Sequence, residues 1–204
     1  MDIEIPASYF NSRRNTIDYG PGDTIIITGD ELEHNCTGIG WEAFCDAVRK
    51  NGNPYHLVLS NGQKGTSTMG VTFGQAIMGG IISITAPELE YVGTLLFSGC
   101  NELTGLDLPR VTFIQGGAFA MCQKLEHVSL PEADFIYLDA FRKCHNLKTV
   151  DLPKARELSD NAFAGCENLE VLNIPMIETV SCSALSGCKK LQWRDALCVM
   201  KGKR

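Results

Sequence analysis

From residue 84 onward, apolar positions recur in columns rather than with the rhythm of one long helix or one long strand. Pro87, Pro109, Pro131, Pro153 and Pro175 follow one another at steps of 22 residues. Cys100, Cys122, Cys144, Cys166 and Cys188 keep that step, as do Leu103, Leu125, Leu147, Leu169 and Leu191. Phe97, Phe119, Phe141 and Phe163 do the same, with Leu185 in the fifth place. A fixed period in which apolar residues are held and polar ones vary is how the stacked coils of a solenoid read in sequence.

Residues 125–146, "LEHVSLPEADFIYLDAFRKCHN", show what one coil contains. Leu125, Val128 and Leu130 alternate with His127 and Ser129, which predicts a short strand with one face inward. Pro131 cannot donate a ladder hydrogen bond, so the strand ends there. The chain then crosses the back through Ala133 and Ile136 and turns through "DAFRKC", where Ala140, Phe141 and Cys144 share the inward side. Leu147 starts the next strand. Coiling in one direction requires parallel pairing between successive strands, and no single coil can bury its own apolar face. Two polar columns alternate in sign: Glu88, Arg110, Glu132, Lys154 and Glu126, Lys148, Glu170. Opposite charges on adjacent coils add little to stability but penalise a slipped register.

The pattern Leu-x-x-Val-x-Leu-Pro followed by Ala-Phe-x-x-Cys-x-x-Leu, as in "LKTVDLPKARELSDNAFAGCENL" at 147–169, resembles the BspA-like (Treponema pallidum type) leucine-rich repeats. The resemblance spans residues 84–195. Together with the period it gives the expected fold class: an α/β, strand-rich, right-handed solenoid of 22-residue leucine-rich repeats. A parallel sheet covers one face, and short helical turns or extended segments cover the other. The resemblance implies surface-associated or secreted proteins that use the array for adhesion or protein binding, and it carries over no catalytic residues.

Residues 1–80 do not keep the step, yet they show the same alternation of elements. "TIIIT" at 24–28 and "YHLVLS" at 55–60 read as strands. Between them Trp41, Phe44, Cys45 and Val48 form one apolar stripe on a helix, with Gly52 as its C-terminal cap. Strand, helix and parallel strand make one wide coil of the same hand. Residues 1–80 are therefore expected to be an N-terminal capping region continuous with the array at 81–195, with a separate small domain as the alternative. A surface loop at 61–74 leads into a degenerate rung at 75–86. At the other end Arg194 occupies the inward column of Leu106, Val128, Val150 and Leu172, so the array stops. Residues 196–204 form a C-terminal cap and tail, with 195–200 folding over the last rung.

A net charge of −6 argues against nucleic acid or an anionic membrane as partner. No apolar run approaches the roughly 20 residues that span a bilayer, so membrane insertion is not expected. The first 23 residues lack the apolar stretch of a signal peptide. The protein is thus expected either at the cell surface or secreted, following the resemblance, with its leader removed, or in the cytoplasm. Of nine cysteines, five stack in one column, where they act as small buried hydrophobes. Cys36, Cys45, Cys182 and Cys198 lie outside it. No Cys/His spacing suits a metal, and no cofactor is expected.

Outward strand positions form two further columns: Gly105, His127, Thr149, Val171 and Trp193, and Asp107, Ser129, Asp151, Asn173 and Asp195. The ring of His127 and the broad surface of Trp193 suit contact anchors on an exposed sheet. Short polar side chains at strand ends also satisfy neighbouring backbone groups. The histidines at 34, 56, 127 and 145 lie in separate rungs or in different columns, and no catalytic motif accompanies them. The expected function is a non-catalytic protein-binding module, a monomer or weak oligomer, that uses Asp107, His127, Ser129, Thr149, Asp151, Val171, Asn173, Trp193 and Asp195. An intracellular scaffold using the same face is the alternative. Carbohydrate recognition is a weaker third reading, because Trp193 is the one exposed aromatic expected on that face.

Overall fold

A computed structural model describes residues 1–6, 17–28, 46–60 and 80–192. Within them the chain winds as a parallel-strand solenoid with little helix. The first four strands are β1 (Asp2–Pro6), β2 (Asp23–Thr28), β3 (Tyr55–Ser60) and β4 (Ile81–Thr85). The array then alternates two short strand types. Three-residue strands are β6 (Gly105–Asp107), β8 (His127–Ser129), β10 (Thr149–Asp151) and β12 (Val171–Asn173). Two-residue strands are β5 (Tyr91–Val92), β7 (Phe113–Ile114), β9 (Phe135–Ile136), β11 (Glu157–Leu158) and β13 (Thr179–Val180).

The expected columns are the observed register. His127 faces Thr149, which faces Val171, and Val128, Val150 and Leu172 align in the same way. The segment that crosses the back is itself a ladder, since β5, β7, β9, β11 and β13 form a second parallel sheet. In it Tyr91, Phe113, Phe135, Glu157 and Thr179 align, as do Val92, Ile114, Ile136, Leu158 and Val180. The first sheet carries β1–β2–β3–β4–β6 as one hydrogen-bonded set and β8–β10–β12 as another.

Between the strands, the columns of Phe, Cys and Leu fill the interior. Phe97, Phe119, Phe141 and Phe163 are fully buried and stack at ring-centroid separations of 5.4, 5.3 and 5.2 Å. Burial of one such ring stabilises the fold by roughly 1.5–3 kcal/mol. The column cysteines are free and buried. Their thiols bridge rungs: Cys122, Cys144, Cys166 and Cys188 donate to the carbonyls of Phe97, Phe119, Phe141 and Phe163 at 3.1–3.3 Å. A residue here must be small, apolar and able to donate, and cysteine meets all three needs.

Between β2 and β3 the residues at 46–51 are helical, Val48 is buried, and the Gly52 amide bonds the Val48 carbonyl in a left-handed cap. Trp41, Phe44 and Cys45 lie outside the described residues, as do the loop at 61–74, the start of the rung at 75–86 and the cap at 196–204. β1 was not anticipated. It pairs with β2 at a step of 22 residues, Asp2 to Thr24, whereas β2 to β3 advances by 32, Asp23 to Tyr55.

Candidate functional site

The corner between the second sheet and the next rung is held by an unusual backbone. It contains two left-handed positions in each of four coils and one in the fifth. One column is Leu95, Gly117, Asp139 and Asn161, and the other is Gly99, Met121, Lys143, Gly165 and Gly187, with φ between 56° and 78°. The cause is visible in the hydrogen bonds. The amides of Leu95, Gly117 and Asp139 leave their own rung to donate to Gly116, Leu138 and Asp160, and that of Asn161 reaches the Ser183 hydroxyl. Those of Gly99, Met121, Lys143 and Gly165 donate to Ala120, Arg142, Ala164 and Ser186. The turn is thus a third ladder between coils. A left-handed conformation costs a non-glycine residue about 1–2 kcal/mol, so Leu95, Met121 and Lys143 are costly choices there.

On the face of the first sheet, the expected residues lie where the register places them. Asp107, His127, Ser129, Asp151, Val171 and Asn173 are exposed and Thr149 is half-buried. Their side chains bond along the axis: His127 Nδ1 to the Thr149 hydroxyl at 2.7 Å, and Asn173 Nδ2 to Asp151 Oδ1 at 2.6 Å. Val171, 55% exposed, is the large apolar residue among them. Trp193 and Asp195 lie outside the described residues.

The charge columns close as pairs. Glu88–Arg110, Glu102–Lys124, Glu126–Lys148 and Glu132–Lys154 meet at 2.5–2.6 Å. Glu170 turns onward to Lys190 at 3.4 Å rather than back to Lys148. The hydrogen bond from Lys148 holds the Glu126 carboxyl below its usual range, and Lys189 does the same for Glu167. Burial pushes the Cys100 thiol up to about 12 and the Cys188 thiol to about 11, and raises that of Cys144 well above its ordinary value. Such thiols are poor nucleophiles at neutral pH.

What the sequence reading missed is the outer surface of the second sheet. Tyr91, Phe113 and Phe135 stand there in one column, with Phe113 and Phe135 stacked at 5.4 Å and Phe135 6.3 Å from Tyr137. Each precedes a core residue (Val92, Ile114, Ile136), so an aromatic step of 22 was available as a signal. Beside this column, a depression of about 350 Å³ is lined by Leu95, Met121 and Leu138 over Gly116 and Gly117.

Stacked rungs, two parallel sheets and columns of Leu, Phe and Cys define a leucine-rich-repeat solenoid. Residues 78–192 match the BspA type leucine rich repeat region in six copies, and the protein belongs to that family. Its fold is similar to that of the T. pallidum leucine rich repeat protein, at 23% identity and a TM-score of 0.50, over 73% of this chain and 84% of that one. It is also similar to a leucine rich cell surface protein from Faecalibacterium prausnitzii A2-165, at 21% identity and a TM-score of 0.51. That match covers 65% of this chain and 35% of the other. Comparison with curated proteins gives no match. Among the described residues no helix is long and apolar enough to cross a membrane.

Proposed function

We propose that the protein is a non-catalytic protein-binding module at the cell surface or secreted, and that it meets its partner through the face of the first sheet. The observation that carries this reading is the lateral locking of that face. His127–Thr149 and Asp151–Asn173 are already bonded along the axis, so less side-chain freedom is lost when a partner docks. Val171 supplies an apolar centre, and Asp107 and Asp151 give the rim a negative bias suited to a basic partner surface. Family membership and the printed name of the F. prausnitzii cell surface protein support the location.

The test is a pull-down from cells and their medium with wild type against a His127→Ala, Val171→Asp double variant of the full chain. Recovery of the partner is expected to fall by about tenfold or more. Equal recovery removes this face from consideration. Protease treatment of intact cells decides the location: a surface protein is cut, and an intracellular scaffold is spared.

A further inference from the structure

We propose that the corner depression is a second docking site, built for an extended segment of a partner protein that carries an apolar side chain next to a carboxylate. The site goes beyond the sheet-face reading, because it lies on other residues and selects the opposite charge.

Three observations converge on it. The first is exposed apolar surface: Leu95, Met121 and Leu138 are 42%, 47% and 50% exposed and share one depression. The second is the choice of residue. Leu95 and Met121 have φ of 58° and 61°, and the rungs that carry Gly99, Gly165 and Gly187 show that glycine serves the Met121 column without strain. A bulky side chain on a strained backbone that stays about half exposed recovers only part of its burial energy inside this chain, which favours a surface kept for contact. Leu95 lies over Gly117, where a Cβ would sit 2.5 Å from Leu95 Cδ2, so the glycine makes room for that side chain on the floor of the depression.

The third observation is charge. Between residues 80 and 192 every lysine and arginine except Lys143 has an ion-pair partner among the described residues. Lys143 lines the depression and also occupies a left-handed position. Beside it Arg142 is held at 3.7 Å by Asp139, whereas the tightest pairs along the coils close at 2.5–2.6 Å. Among the described residues of the array, one cation without an ion-pair partner and one loosely held cation border an apolar floor. That arrangement complements an acidic group flanking a hydrophobic anchor. An anionic membrane is disfavoured, because two cations beside Asp139 on a chain of net charge −6 give no concentrated positive field. Stacked sugars are disfavoured too, because Phe113 and Phe135 spend their ring faces on each other, with an interplanar angle of 2°.

The probe is a fluorescein-labelled library of randomised octapeptides passed over the immobilised full chain. The expected result is enrichment of peptides with Leu, Ile or Phe beside Asp or Glu. The enriched pool should bind a Met121→Gly, Lys143→Gly double variant about tenfold more weakly or worse in fluorescence polarisation. That variant restores the residue used on the other rungs, so its thermal midpoint should be unchanged or higher, which separates loss of binding from loss of fold. His127→Ala, Val171→Asp should leave peptide binding intact, so failure of the sheet-face reading and failure of this one are distinguishable. The proposal is overturned if no peptides are enriched, if basic peptides are enriched, or if the double variant binds the pool equally well. It is overturned as well if the double variant abolishes self-association in sedimentation or binding to phosphatidylserine vesicles, which would assign the site to a second copy or to lipid.

Discussion

The two sheets of the array share one interior but present opposite exteriors. On the first sheet, outward side chains other than Val171 are polar, and two pairs bond along the axis, His127–Thr149 and Asp151–Asn173. On the second they include Tyr91, Phe113 and Phe135, with the rings of Phe113 and Phe135 stacked on one another. The repeat fixes what points inward at both sheets and leaves the outward columns free. One coil can therefore vary two surfaces independently of the shared interior.

The sharpest way to break this contrast is to remove what both sheets share. Phe141→Ala should cost about 3–5 kcal/mol, because the ring is fully buried between Phe119 and Phe163. Urea unfolding should show one cooperative transition at a lower midpoint. Loss of amide protection in only one sheet by hydrogen exchange, with the other retained, would mean that the interior is not common to both.

A matched pair of outward truncations gives a smaller and more selective effect. Phe135→Ala on the second sheet removes a half-buried ring stacked on Phe113 and should cost about 2 kcal/mol. Thr149→Ala on the first sheet removes one hydrogen bond to His127 and should cost about 1 kcal/mol or less. Equal costs measured by urea titration would show that the two exteriors contribute alike, contrary to the contrast drawn above.

The legibility of the sequence followed the same division. Inward columns of the array were readable to the residue, because each position is repeated and packing holds its chemistry. The outer face of the second sheet was not, since a strand of two residues such as Phe135–Ile136 has no alternation to detect. Met121 and Lys143 read as ordinary surface residues until the glycines of their column are seen to share a left-handed φ. In the N-terminal region β2 and β3 were legible from their Ile- and Leu-rich runs. β1 was hidden, because its step of 22 is followed by one of 32 and no second copy marks the period. On the first sheet Asp107, His127, Ser129, Thr149, Asp151, Val171 and Asn173 stand in the predicted columns, and their role in binding is the proposal made above.

Charge reversal tests the rims of the first sheet and should have a modest effect. Lys148 lies beside Thr149 at the entry to β10, and its ammonium is 2.6 Å from Glu126. Lys148→Glu puts a carboxylate between those of Glu126 and Glu170 on the adjacent rungs, as a slipped register would. The thermal midpoint should fall slightly at low salt and recover in about 1 M salt, where screening removes the repulsion. A decrease that persists at high salt would mean that the lysine stem packs structurally.

The smallest expected effect is a pH dependence. The Glu126 carboxyl is held below its ordinary value of 4.5, first by the hydrogen bond from Lys148, and the Glu167 carboxyl in the same way by Lys189. A carboxyl whose pKa is depressed on folding stabilises the native state above the unfolded value, and that contribution is lost as pH falls through the folded value. Stability should therefore be level above about pH 5 and decline below it, with a shallower decline in a Glu126→Gln, Glu167→Gln double variant. Both carboxyls are solvent-exposed, so the difference should be small and should shrink further in salt. Identical acid limbs for wild type and variant would show that the pairs close without linking protonation to folding. The rims would then set register alone, and the first sheet would owe its order to the hydrogen bonds along its face.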